Sequence, residues 1–125
     1  MATSTKAEKE RLLREVLERV GDKWTLLVIE ALGEAGGELR FTQLRDRIGG
    51  VSQKMLTKTL RELERDGLVR RTVHAVVPPR VDYALTPLGD ALGEAVCDIW
   101  RWVETHMKDV ERARRTYDAR VKSDA

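Results

Sequence analysis

The chain has 125 residues, 35% of them charged and 42% hydrophobic. This suits one domain with a modest core and excludes both a membrane protein and a wholly disordered one. The 23 Lys and Arg against 21 Asp and Glu leave only +2, so net charge alone selects no partner. One cysteine (Cys97) excludes an intramolecular disulfide, and two histidines (His74, His106) leave little for a zinc site, so neither metal nor cofactor is expected.

No stretch approaches the ~20 apolar residues of a membrane span. The opening MATSTKAEKERLL has no apolar signal core, so a cytoplasmic protein without a membrane partner is expected. Residues 1–5 read as a short flexible N-terminus, 6–110 as one domain, and 111–125 as a C-terminal helical extension or tail.

From Lys6, Leu12, Leu13, Val16, Leu17 and Val20 fall at helical spacing until Gly21. Asp22 then serves as N-cap for a second helix with Trp24, Leu27, Val28, Ala31 and Leu32 on its apolar face, ending before Gly36-Gly37. Trp24 reads as core. Leu39-Arg40-Phe41 is a short extended piece, and Thr42 is the predicted N-cap of a brief helix, Gln43–Ile48. After Gly49-Gly50, Ser52 opens a helix to about Asp66, with Met55, Leu56, Leu60 and Leu63 inward and Gly67 at the left-handed C′ position.

Past Gly67 the period changes to two. Leu68–Val76 and Val81–Leu85 are rich in β-branched residues, with Val69, Arg71 and Val73 alternating against Arg70, Thr72 and His74. Val77-Pro78-Pro79-Arg80 between them makes a stiff hairpin tip. Thr86 at N-cap and Pro87 at N1 restart a helix. Its stripe is Leu88, Leu92, Val96, Ile99, Trp100, Val103, Met107 and Val110, and it runs to about Arg120. Cys97 falls near that stripe and reads as a buried structural thiol, His106 as helix surface. The predicted fold class is mainly α with a small β-hairpin.

A short helix, a glycine turn, a longer helix and a hairpin form a winged helix-turn-helix, whose second helix fits the major groove of a duplex while the wing reaches the neighbouring minor groove or backbone. Charge placement agrees. From Ser52 to Arg80 there are seven Lys or Arg against three acids, a local balance of +4 that leaves −2 for the remainder. Gln53 can pair with adenine, and Lys54 or Lys58 can reach guanine or phosphate. Thr57 can meet thymine, and Arg61 shares the same outward face. Arg40 and Ser52 suit phosphates at the entrance, Arg80 suits a minor groove, and His74 is a further candidate. Taken singly, each exposed Lys or Arg reads as solvated surface; their coincidence with the turn and hairpin is what raises the group. No Ser, Cys or carboxylate pair stands in a catalytic spacing and no glycine-rich phosphate loop is present, so an enzyme is not expected.

Several segments together resemble the HxlR-type regulators. They are Gly21-Asp22-Lys23-Trp24-Thr25-Leu26-Leu27, Arg40-Phe41-Thr42-Gln43-Leu44, Gly50-Val51-Ser52-Gln53-Lys54-Met55-Leu56-Thr57, Leu60 to Val69, Val77 to Tyr83, and Leu85-Thr86-Pro87-Leu88-Gly89. The resemblance spans about Val16 to Val103. It implies a winged-helix transcription factor working as a homodimer, as repressor or sometimes activator, related in style to the MarR group. Many such proteins sense oxidants through a cysteine about thirteen residues before the Lys-Trp tryptophan. That position is Arg11 here, so the resemblance does not carry thiol sensing over, and a non-covalent small-molecule effector, or none, is expected.

Dimerisation also has a physical motive, since one recognition helix reads few base pairs and two are normally held about 34 Å apart. Leu12, Leu13, Val16, Trp100, Val103, Met107 and Val110, on the N- and C-terminal helices, are the expected subunit interface. The expected partners are thus double-stranded operator DNA, a second copy, and room for an effector beside Trp24, Trp100 or Trp102. The alternative is a protein-binding winged helix docking an acidic partner.

Overall fold

The computed structural model describes residues 5–124, and residues 1–4 of the expected flexible N-terminus lie outside them. Thr5 is not frayed. Its hydroxyl accepts from the Glu8 backbone N–H while the Glu8 carboxylate accepts from the Thr5 N–H, a reciprocal cap that starts α1 (Lys6–Val20). Asp22 caps α2 (Lys23–Ala35), accepting from the Thr25 N–H at 3.0 Å. The chain continues through β1 (Leu39–Arg40), α3 (Phe41–Ile48), α4 (Gln53–Arg65), β2 (Val69–His74), β3 (Arg80–Leu85) and α5 (Pro87–Asp124).

α3 begins earlier than the sequence suggests. Arg40, in extended backbone, is its N-cap residue, and the Gln43 side chain reaches back to accept from the Arg40 N–H at 3.0 Å. That reach fixes the start of the helix, so Thr42 is a helical residue rather than the cap. Ser52 does cap α4, accepting from the Met55 N–H at 3.0 Å. At the far end Gly67 takes φ +77, and the Leu68 N–H returns to the Leu63 carbonyl, closing the helix.

The core is built chiefly from α2 and α4, closed by Leu44 of α3, Val69 of β2 and Val96 of α5. Val28, Ile29, Leu32, Leu44, Leu56, Leu60, Leu63, Val69 and Val96 are buried together, with Trp24 and Trp100 packed partly buried against them. Met55 is a correction: it is 36% exposed at the first turn of α4. The inward place falls to Thr59, at helical spacing from Leu56 and Leu63 and only 4% exposed. Its hydroxyl donates to the Met55 carbonyl at 2.9 Å, so a residue that reads as polar is buried without an orphaned donor.

The hairpin is part of a three-stranded antiparallel sheet ordered β1-β3-β2. Register pairs Val69 with Leu85, Arg71 with Tyr83 and Val73 with Val81 on one face, and Thr72 with Asp82 and His74 with Arg80 on the other. Leu39 and Arg40 pair with Tyr83 and Asp82, which promotes the expected extended piece to a third strand. β2 stops at His74 because the chain turns, the Val76 N–H donating to the His74 carbonyl.

Thr86 then anchors α5 to the end of α4. Its hydroxyl donates to the Gly67 carbonyl at 2.6 Å and accepts from the Gly89 N–H at 3.1 Å. Gly89 sits so close to the Leu68 carbonyl that a Cβ would lie 2.0 Å from its oxygen, which no side chain tolerates. α5 runs without a break to Asp124. Cys97 corrects the expectation of a buried thiol: it is exposed, because Val96 occupies the inward position and the next residue is turned about 100° away. No described helix is long and apolar enough to cross a membrane.

Candidate nucleic-acid interface

The outer face of α4 is a shallow concave strip lined by Gln53, Lys54, Thr57, Lys58, Arg61 and Glu62. Five of the residues expected to meet DNA are therefore brought together on one surface. The cause is the pattern within α4: Leu56, Thr59, Leu60 and Leu63 point to the core, so the residues between them must point out. Ser52 is exposed at the N-terminus of that helix, with its oxygen engaged by the Met55 N–H.

Of the three acids on this part of the chain Glu62 borders the strip, 4.0 Å from the Lys58 ammonium, and all three are engaged by cations. Arg19, from α1, donates from Nε to Asp66 at 2.7 Å and from Nη1 to Glu62, clamping the C-terminal end of α4. The hydrogen bond to the Asp66 carboxylate, against the opposing effect of burial, pushes the Arg19 pKa above its ordinary value. Glu64 is paired with Arg71 of β2 at 3.7 Å. The side of α4 nearest the wing also packs on Tyr83, whose pKa is raised chiefly by burial. Thus Glu62, Glu64 and Asp66 each face a guanidinium, while among the described residues Lys54 and Arg61 have no ion-pair partner. Nothing in the periodicity of α1 marks Arg19 for this role, because its partners lie 43 and 47 residues on.

The other candidates sit around the wing. Arg40 and Arg80 border one notch, together with Thr42 and the tip Val76-Val77-Pro78-Pro79. Val77 at the tip is fully exposed. Arg80 is not wholly free: its Nε lies 3.4 Å from the Asp82 carboxylate. His74 is turned away from α4, its Nε2 2.7 Å from Asp82. The interface therefore has two parts, the α4 strip and the Arg40–Arg80 notch, with His74 behind the second.

The sequence profile of HxlR-like helix-turn-helix proteins matches residues 19–111. This chain belongs to that family. It is 46% identical over 101 residues to the uncharacterised HTH-type transcriptional regulator YtfH of Escherichia coli K12, covering 81% of this chain and 79% of that protein. The solved structure of the YtfH regulator of Salmonella typhimurium superposes with a TM-score of 0.75 at 42% identity, covering 82% of this chain and 90% of that one. The redox regulator HypR in its reduced form gives a TM-score of 0.73 at 35% identity, covering 81% and 98%. HxlR-like members are transcriptional regulators rather than enzymes, and the winged helix-turn-helix of this one is that of a DNA-binding regulator.

The residues expected at a subunit interface lie on α1 and α5. α1 buries none of its side chains, and Leu12, Leu13, Val16 and Leu17 are all exposed. On α5, Met107 is exposed while Trp100, Val103 and Val110 are half-buried. Trp100 also lines a groove of about 640 Å³ between α2 and α5, floored by Ile29, Leu85 and Val96. Trp24 lies under the Lys23 ammonium and Trp102 stacks on His106 at 4.7 Å, so of the three tryptophans Trp100 alone lines this groove.

Proposed function

We propose that the protein is a cytoplasmic homodimeric repressor that binds a two-fold operator in double-stranded DNA. In this reading α4 enters the major groove, with Gln53 and Thr57 reading base edges and Lys54, Lys58 and Arg61 divided between guanine and phosphate. Ser52 and Arg40 meet phosphates at the entrance. Arg80 enters the adjacent minor groove, and His74 contributes from behind it. The observation that carries the reading is the α4 strip, a polar face with four outward polar or basic residues besides Lys58, whose one bordering acid, Glu62, is paired with Arg19 and Lys58. Leu12, Leu13, Val16, Trp100, Val103, Met107 and Val110 join the two copies, supported by the exposure of Leu12, Leu13, Val16 and Leu17 on α1 within one chain. The groove beside Trp100 is the place for a small-molecule effector.

The test is binding to a fragment of the protein's own promoter beside a scrambled duplex. Changing Gln53, Lys58 and Arg80 each to Ala should weaken operator binding by about 1–3 kcal/mol for a base contact, and log affinity should fall steeply with log salt. Unchanged affinity in all three variants overturns the contact assignment. Equal binding to both duplexes removes sequence specificity. Absence of any DNA binding favours a winged helix that docks an acidic protein. Quenching of tryptophan fluorescence across a metabolite panel tests the effector, and a panel without response removes it.

A further inference from the structure

The face of the wing turned away from α4 carries a second constellation. Glu38 stands just before β1, His74 ends β2 and Asp82 lies in the middle of β3. One ligand atom from each, a ring nitrogen of His74 and a carboxylate oxygen from each acid, lie within 4.8 Å of one another, and Nε2 is 2.7 Å from the Asp82 oxygen. We infer that Glu38, His74 and Asp82 form a binding site for a zinc-class divalent ion at the root of the wing, whose occupancy releases Arg80 and Arg70.

The donor set is one imidazole and two carboxylates from three separate segments, which suits a borderline ion such as zinc. Donors about 2.0–2.2 Å from a tetrahedral ion stand about 3.3–3.6 Å apart, within the range these atoms span. Asp82 is only 6% exposed and holds the floor of the site, while Glu38 is exposed and leaves a path from solvent and room for a water ligand. The two carboxylates offset a divalent charge.

At present two arginines share those carboxylates, and neither is well placed. Arg70 is 3.7 Å from Glu38 with more than half of its side chain exposed. Arg80 is 3.4 Å from Asp82, and its Nε is buried without a hydrogen-bond partner. A buried donor left unmatched beside a carboxylate marks an acceptor that the arginine uses poorly, so an ion with better geometry displaces it at little loss. Displacement turns Arg80 and Arg70 loose on the wing. A census of histidines and cysteines misses this site, because two of its three donors are carboxylates and the three are 36 and 8 residues apart.

The first experiment needs no DNA. Metal-free full-length protein is titrated with zinc sulfate against a chromogenic chelator, beside His74→Ala, Glu38→Gln and Cys97→Ser, with circular dichroism confirming that each is folded. One zinc per chain is expected in the wild type and in Cys97→Ser, with binding weakened roughly tenfold or more in the other two. No binding in the wild type, or binding lost in Cys97→Ser and kept in His74→Ala, overturns the site.

The released arginines are read separately, and this part rests on the DNA-binding reading above. With zinc, the slope of log affinity for operator duplex against log salt should steepen by about 0.9 for each further phosphate neutralised, and Glu38→Gln should abolish the change. Zinc that binds without altering the slope overturns the release of Arg80 and Arg70. A protein that binds zinc as expected but never DNA keeps the site and sinks the regulator.

Discussion

α1 and α4 are amphipathic helices of similar length, 15 and 13 residues, yet they dispose of their apolar faces in opposite ways. α4 buries Leu56, Thr59, Leu60 and Leu63 inside the chain and offers a polar basic face outward. α1 buries nothing and leaves Leu12, Leu13, Val16 and Leu17 open. The difference separates two kinds of partner. In the proposed function the polar face, with its acids paired to Arg19, Lys58 and Arg71, meets DNA, and the exposed apolar face of α1 meets a second copy of the chain.

Truncating the two helices sharpens the contrast. Leu56→Ala should lower the unfolding free energy by about 2–5 kcal/mol in urea, because a fully buried side chain leaves a cavity. A loss under roughly 1 kcal/mol would mean that α4 is not docked as described. Next in size is the pair Leu13→Asp and Val16→Asp on α1. Each buried Leu or Val contributes about 1.5–3 kcal/mol to an apolar interface, so sedimentation should show monomer at concentrations where the parent is dimeric. Persisting dimer would remove α1 from the interface.

On α4 the expected effects divide by chemistry. Gln53→Ala should relax discrimination at one base pair by about 1–3 kcal/mol, while Lys54→Ala should weaken all duplexes alike and lower the salt slope by about one. If the two variants behave identically, the strip makes backbone contacts only. Arg19→Ala connects the two helices. It should cost about 1 kcal/mol of stability, since its ion pairs are partly exposed. It should also leave Asp66 unpaired and Glu62 with only Lys58, at 4.0 Å, to offset it beside the strip, so operator affinity falls although Arg19 lies on another helix. Intact affinity would show that these acids are too far from the duplex to matter.

Much of this was legible in the sequence because caps, glycine stops and periodicity agree with one another. Asp22, Ser52, Gly67 and Thr86-Pro87 all act in the structure as their residue types imply. The outward set of α4 followed from the same periodicity. What escaped was set by tertiary contacts. Thr59 is buried because its hydroxyl finds a carbonyl one turn back, which polarity alone does not announce. Arg19 and the Glu38–His74–Asp82 cluster depend on segments that approach only after folding. Cys97 shows the limit of stripe reading, since one step along a helix separates core from solvent.

The smallest effect probes the groove between α2 and α5, where the comparison of open faces is hardest to draw. Glu30 on α2 is partly buried there, and burial, followed by the nearby Glu34 and Glu104 carboxylates, pushes its pKa above its ordinary value of 4.5. A carboxyl whose pKa is raised on folding binds its proton more tightly in the native state. Its stabilising contribution is therefore full below the unfolded value and is lost as pH rises through the folded one. At neutral pH the ionised Glu30 works against the fold, so Glu30→Gln should raise Tm by roughly 1–2 °C at pH 7, and the gain should vanish as pH falls below the ordinary value. If instead the variant is less stable at pH 7, a cation covers Glu30 in solution. The basic residues of α1 from a second copy would then be its source, and the groove would belong to the subunit interface rather than to an effector.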